Sequence, residues 1–530
     1  MFWTGLDSLR GHALVAAMIS VCACSFLLFG YDQGVMSGVV ISEYWLAAMG
    51  HPSTIMTSTL VSLFDVGAFF GAVASAFTSE SLGRKRSLIL GAFIVLIGAI
   101  LMGTSYERIQ FMVARITAGV GIGYVTSMAP VYMSEISTAK QRGWQFCAQP
   151  TTLLFGLVIT YFINYGCYFR PGNFQWRFPL LFQCIFALYI MVVVIFLPET
   201  PRWLMRHDGN EDRGLLVLAK LRDKDVTDEA VQKEKDEVID ALRIEAEHEG
   251  TWWDLFRDGG IAANKRFYLA LAIQFMEQLS GINIVSYYAP TIFQQSLGMD
   301  QKQSLFLGCW LQLFYFCASF LTWVIIDRIG RRKLFIWCAL AMTVVLVLEA
   351  ACVAVGNHAA SIFAVIMVFA FEAFFTWGWM ATVWIYPPEI LPLSIRGKGA
   401  SLAAASDFVG NFLVVEITPP ALQNIGWRTY VIFAVFNIVN AVIVWAFFPE
   451  TAGVTLEAMD RLFVTDYEDE TPQNWFTSKF QWAVVRKAEA YKKNEALRAR
   501  VNQLEGGTAY KMQQMNAANE DPARVTATDL

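Results

Sequence analysis

The chain alternates long apolar runs with short polar intervals, and the runs have a characteristic length. Each is about 20 residues, what an α-helix needs to cross a hydrocarbon core of about 30 Å. In order they predict spans near Leu14–Val40, Thr57–Thr78, Ser87–Thr104, Ile109–Val131, Gln145–Tyr165 and Phe178–Leu197. A second set is predicted near Phe267–Phe293, Leu305–Ile326, Leu334–Val355, Ile362–Tyr386, Gly399–Ile417 and Arg428–Phe448. The interval 198–266 is polar; within it Asp228–Glu249 alternates acids and bases at helical spacing, as a solvated helix does. Past Pro449 the chain is charged again. There 474–505 sets Trp475, Phe476, Phe480, Trp482, Ala483 and Val484 among bases, which fits an amphipathic helix on a membrane surface or a soluble tail helix. The predicted organisation is all-α: six spans in 1–197, a linker with short helices in 198–266, six spans in 267–448 and a tail in 449–530.

Composition sharpens this picture. Of 530 residues, 56% are hydrophobic and only 16% charged, too few charges to clothe a soluble protein of this length. Soluble enzymes are thereby excluded, and Asp, Glu and Arg occur without a His or Cys set beside a nucleophile. Cys22, Cys24, Cys184, Cys309, Cys317, Cys338 and Cys352 lie inside apolar runs, where cysteine acts as a small hydrophobe. With no C-x-x-C and five scattered histidines, neither a metal nor a cofactor is expected, nor a nucleic-acid partner. The first apolar run is too long for a signal-peptide core and reads as a retained helix.

The net charge of −5 matters less than where the bases fall. Arg84-Lys85-Arg86, Lys140 with Arg142, Arg328 with Arg331-Arg332-Lys333, and Arg396 with Lys398 all follow even-numbered spans. The positive-inside rule then puts these loops, the linker and both termini in the cytoplasm.

Three patterns occur twice in the same order. Leu82-Gly83-Arg84-Lys85-Arg86 returns as Ile329-Gly330-Arg331-Arg332-Lys333. Glu135 followed by Arg142-Gly143 returns at the same spacing as Glu389 followed by Arg396-Gly397, and Pro198-Glu199-Thr200 returns as Pro449-Glu450-Thr451. Duplicated six-helix halves can rock about a site between them. The expected ion-pair network, Glu80, Arg84, Glu135, Arg142, Glu199, Asp327, Arg331, Glu389, Arg396 and Glu450, would join the halves across the cytoplasmic face and break on rocking.

These residues, with Phe29-Gly30-Tyr31-Asp32, Arg115 with Gly119, Gly121 and Gly123, Pro130-x-Tyr132-x-x-Glu135, Pro198-Glu199-Thr200-Pro201-Arg202-Trp203-Leu204, Gln278-Leu279-Ser280-Gly281-Ile282-Asn283 and Asp327-Arg328-x-Gly330-Arg331-Arg332, resemble the sugar porter branch of the major facilitator superfamily. The likeness runs from about Leu14 to Phe463 and is strongest to fungal hexose and polyol transporters. It implies the major facilitator fold, with twelve transmembrane helices in two bundles, in the plasma membrane.

Charges at membrane depth cost at least about 2.5–3.5 kcal/mol and so call for partners. Arg115, inside the fourth span, cannot be neutralised, and Asp32 is its natural counterpart. Protonating Asp32 would weaken such a pair and free the first helix, and the resemblance gives the matching residues this proton-coupling role. Asp65, Glu349, Glu372 and Glu416 also fall in spans; Glu416 lies near an outer end where water reaches it, and Asp65 is equally able to pair, line the pathway or orient a helix.

A neutral sugar needs amides that both donate and accept, plus a flat aromatic for its CH face. Gln274 and Gln278 share one helical face, Asn283 follows them, Asn411 falls in span eleven, and Trp384 precedes Pro387-Pro388, expected to end or kink span ten. By resemblance Gln278, Asn283, Trp384 and Asn411 match sugar contacts, and Tyr287 and Tyr288 an outer gate. The chain departs from the family where Pro150 replaces a glutamine beside Gln149, and where Glu277 and Asp407 replace amides. Two carboxylates would disfavour a uronate. The expected function is proton symport of a neutral hexose or pentose; the alternatives are a sugar or polyol uniporter, a uronate symporter and a non-transporting sugar receptor.

Overall fold

The computed structural model describes residues 9–137, 139–207, 211–247, 251–258, 262–295, 298–454, 459, 462–463, 481–489 and 491. Helices account for the regular structure among them, with no strand. The first half comprises α1 (Gly11–Val39), the short α2 (Glu43–Ala48), α3 (Thr54–Leu82), α4 (Arg84–Gly103), α5 (Arg108–Ile136), α6 (Ala139–Tyr168) and α7 (Phe174–Phe196). The linker carries α8 (Pro201–His207), α9 (Glu211–Arg222), α10 (Glu229–Glu247) and a 3₁₀ turn at Trp252–Phe256. The second half comprises α11 (Ala263–Leu279), α12 (Ile282–Gln295), α13 (Gln301–Ile329), α14 (Arg331–Val355), α15 (His358–Phe375), α16 (Ala381–Ile390), α17 (Arg396–Ile425) and α18 (Arg428–Phe447).

Eleven helical stretches among the described residues are long and apolar enough to cross a membrane, counting α15 and α16 as one. The twelfth crossing is the predicted span at 267–293, which is broken. Gly281 takes a φ of +95°, a left-handed conformation that a side chain disfavours, and separates α11 from α12. Such a break leaves carbonyls without helical partners, which water cannot satisfy at this depth. Two amides of α18 take them: Asn437 donates to the Ser280 carbonyl at 2.9 Å and Asn440 to that of Met276 at 3.0 Å.

Close packing in the first half follows from small residues. Gly67 and Gly71 of α3 face Gly119 and Gly123 of α5, and a Cβ on Gly67 would lie 2.1 Å from the Ile116 carbonyl oxygen. Helices without a hydrophobic drive between them associate through such close backbone contact.

Two expectations need correction. Helix α16 runs through Pro387 and Pro388 to Ile390; the irregularity lies upstream, in a π turn at Thr376–Met380. There Gly378 sits against Cys338, Trp377 donates to the Ala318 carbonyl at 3.1 Å, and Thr322 donates to that of Thr376 at 2.9 Å, so neighbouring helices hold the wider turn. The expected tail helix is described only over 481–489, which docks on the bundle rather than on lipid or in free solution. Val485 and Ala488 are fully buried. The backbone N–H of Trp482 and the amide of Gln481 take the Ala446 and Trp445 carbonyls, which α18 leaves unpaired at its end. The expected linker helix is present as α10.

Candidate functional site

The repeated motifs build one network twice, at the end of the bundle that carries the basic loops. In the first half Arg84 bridges Glu80 at 3.2 Å and Glu135 at 2.9 Å. Glu199 accepts the Lys85 backbone N–H at 3.0 Å, Thr200 donates to Glu135 at 2.5 Å, and Tyr132 donates to the Pro198 carbonyl at 3.2 Å. In the second half Arg331 bridges Asp327 at 2.8 Å and Glu389 at 3.0 Å. Glu450 accepts the Arg331 backbone N–H at 2.9 Å, Thr451 donates to Glu389 at 2.6 Å, and Tyr386 donates to the Pro449 carbonyl at 2.9 Å. Gly83 and Gly330, at φ +85° and +96°, turn the chain so that Glu199 and Glu450 can reach the first N–H groups of α4 and α14. Burial pushes the Glu199 carboxyl above its ordinary range, against the pull of the Thr200 and Lys85 N–H donors.

These pairs therefore lie within each half, not between the halves as expected. The reason is geometric: each arginine begins the helix after a tight turn and meets acids of its own bundle at once. Arg396 donates to the Leu391 carbonyl at 3.3 Å, also in its own half. The side chain of Arg142 lies outside the described residues.

The halves touch through Thr151 of α6, which accepts from Trp323 of α13 at 3.0 Å, and through a denser set of contacts from the middle of the bundle to the end opposite the basic loops. Asp65 of α3 accepts from the Asn411 amide of α17 at 2.9 Å. Further out Glu416, partly exposed as expected near that end, accepts from Thr59 at 2.7 Å and Ser62 at 2.6 Å across the halves. Tyr161 of α6 donates to the Ser286 carbonyl of α12 at 2.9 Å, and Gln301 to that of Ile41 at 2.9 Å. Tyr287 and Tyr288 are buried beneath these contacts, Tyr288 donating to the Val415 carbonyl at 3.2 Å. This side of the bundle is closed.

In the first half Arg115 and Asp32 meet, both fully buried, with Nη1 3.1 Å from Oδ2. Arg115 also donates to the Val61 carbonyl at 2.8 Å and lies over the Phe64 ring, 4.6 Å from its centroid. The second oxygen of Asp32 is buried without a partner among the described groups. The pair thus keeps one free acceptor beside a fixed cation.

Between the halves lies a polar-lined cavity with room for a few waters. Of the expected residues it brings together Gln278, Asn283, Trp384, Glu277 and Asp407. Asn283 donates to Gln278, and Gln278 donates to Asp407 at 2.5 Å, an amide relay across the break at Gly281. Three expected residues are not brought to it. Gln274 turns to the Val383 carbonyl at 3.4 Å, Gln149 to the Met133 sulfur at 3.1 Å, and Asn411 to Asp65. Each found a polar partner on a neighbouring helix, which spacing along one helix cannot reveal. The cavity adds Gln33, Ser286 and Tyr315, which the sequence reading missed. Gln33 adjoins Asp32 in an otherwise apolar helix, a signal that was there to be used.

Two helical bundles around a polar cavity, closed at one end, define a multi-pass membrane carrier for a small solute. The profile of the family described as "Sugar (and other) transporter" matches residues 17–463. The chain belongs to that family, within the major facilitator superfamily, and is a transporter and not an enzyme. It is 36% identical over 467 residues to MFS-type transporter oryC of Aspergillus oryzae, spanning 86% of each chain. It is 32% identical to Sugar transporter STL1 of Saccharomyces cerevisiae, over 85% of this chain and 81% of the relative. Among solved structures it resembles the proton:xylose symporter XylE bound to 6-bromo-6-deoxy-D-glucose, with a TM-score of 0.71 and 24% identity over 85% of this chain and 99% of that one.

Proposed function

We propose that this carrier imports a neutral monosaccharide, a hexose or pentose, together with protons across the plasma membrane, with the basic loops and both termini in the cytoplasm. The observation that carries the coupling is the buried Asp32–Arg115 pair with its unpartnered Asp32 oxygen. Protonating Asp32 removes one charge of the pair and weakens its hold on α1, while Arg115 stays charged and bonded to α3. Helix α1 is then free to move against α5, and a solute held between the halves moves with it. Gln278 and Asn283 offer hydroxyl-binding amides, and Trp384 a face for the sugar ring. The duplicated networks make the basic end of each half a rigid unit, as rocking requires. Similarity to a sugar transporter and to a proton:xylose symporter supports this reading.

The test is uptake by the purified protein in vesicles, across a panel of labelled hexoses, pentoses, polyols and uronates, with and without an uncoupler. The expected result is accumulation of a neutral sugar that the uncoupler abolishes. In Asp32→Asn accumulation should cease while exchange of labelled for unlabelled sugar persists. Equilibration indifferent to the uncoupler would make the protein a uniporter.

A further inference from the structure

Two cavity groups have no part in the coupling described above. Glu277, in the last turn of α11, and Asp407, in α17, line the same cavity, both buried. Two ionised carboxylates buried in one cavity repel each other, and with no cation beside them one takes up a proton. The amide relay adds to this: Asn283 donates to Gln278 and Gln278 to Asp407, so a donor is aimed at Asp407 while a buried Glu277 oxygen has no partner among the described groups. No Lys, Arg or His lines the cavity among the described residues. This differs from Asp32, whose charge Arg115 offsets.

The other titratable groups turned toward the pair are few. Tyr315 on α13 lines the same cavity, Asp65 on α3 is held by Asn411, and Glu372 on α15 is held by Gln312. The lining residues of α1 and α6 include Phe29, Gln33, Pro150 and Leu153, none of which titrates, and α16 presents Trp384. Tyr287 and Tyr288 of α12 are held by Asn411 and the Val415 carbonyl. No cation among the described cavity-lining residues stands in for a shared proton.

We propose that Glu277 and Asp407 share one proton and form a second protonation site, inside the solute cavity and separate from Asp32–Arg115. Singly protonated, the pair has one O–H, which bonds the other carboxylate in the empty cavity and turns to a solute hydroxyl when one enters, while the remaining oxygens accept. Without it, two like charges face each other and the donor is gone. The pair also keeps one negative charge in the cavity when singly protonated, which rejects anionic solutes and admits neutral polyhydroxyl ones. The link to solute rests on the sugar-import reading; the shared proton does not.

Two measurements on the purified full-length protein separate these parts. In infrared difference spectra over a pH titration, the protonated-carboxyl band should lose one component in both Glu277→Gln and Asp407→Asn that the unaltered protein and Asp32→Asn keep, above the contribution of the buried Glu349 and Glu372. An undiminished band in either Glu277→Gln or Asp407→Asn overturns the shared proton. In equilibrium binding of labelled neutral sugars, affinity should fall roughly tenfold per pH unit above the pair's titration, as linkage to one proton requires. Glu277→Gln carries a permanent donor, so it should hold the low-pH affinity as pH rises. A pH profile identical to that of the unaltered protein overturns the link to solute. Should no neutral sugar bind at any pH, the sugar reading fails, and the infrared result still decides the proton.

Discussion

Asp65 of α3 and Asn411 of α17 stand 346 positions apart in the chain and hydrogen-bond at 2.9 Å, both fully buried, between the two halves. The Asn411 amide also reaches the Tyr287 hydroxyl at 3.4 Å. One side chain thus ties the closure of the bundle to the helix whose break lines the cavity.

Removing that amide should loosen the closed end. A buried hydrogen bond contributes about 0.5–1.5 kcal/mol net, which corresponds to roughly two- to tenfold in the population of the opened form. In a cysteine-free background with a single reporter at Ser286, Asn411→Leu should react that much faster with a membrane-impermeant maleimide. An unchanged rate would mean that the bond does not hold the end shut.

Arg115 makes two directed bonds, to Asp32 and to the Val61 carbonyl. Lysine keeps the charge but lacks the planar fork that serves both at once. Arg115→Lys should therefore retain proton-driven accumulation at a reduced rate, while Arg115→Gln, which leaves Asp32 uncompensated, should lose it. Equal activity of the two variants in the vesicle assay would sink the proposed switch.

Because the two arginine networks lie in separate halves, their losses should add. Breaking a buried pair costs about 3–5 kcal/mol, and the slight exposure of Arg84 and Arg331 places each near the lower end. A cycle of Arg84→Ala, Arg331→Ala and the double variant, followed by denaturation in detergent, should be additive within about 0.5 kcal/mol. A larger coupling term would show the networks touching across the halves.

The contact of α3 with α5 leaves no room for side chains. A Cβ at Gly123 would lie 2.1 Å from the Ala68 carbonyl oxygen, so Gly123→Val forces the helices apart. Overpacking of this kind costs about 1–3 kcal/mol. Thermal denaturation in detergent should shift downward, whereas Gly166→Ala, where the added atom meets open space, should leave it unchanged.

The spans were legible because hydrocarbon imposes a length on any helix that crosses it. The duplication was legible because residues such as Gly83 and Gly330 repeat in register. Asp32 and Arg115 could be matched from sequence, since a charge at membrane depth has so few possible partners. An amide has many, and this is where reading along the chain ran out. Gln274, Gln149 and Asn411 satisfy other helices rather than the cavity, while Gln33 and Tyr315 reach it. The two acids show the same division: sequence placed Glu277 and Asp407 near a site, and only the packing of the helices set both on one cavity. Periodicity and charge determine which helices form and cross, being properties of one segment in its solvent. Which side chains meet depends on helix rotation and register between segments far apart in the chain, and those are set by packing of the whole bundle.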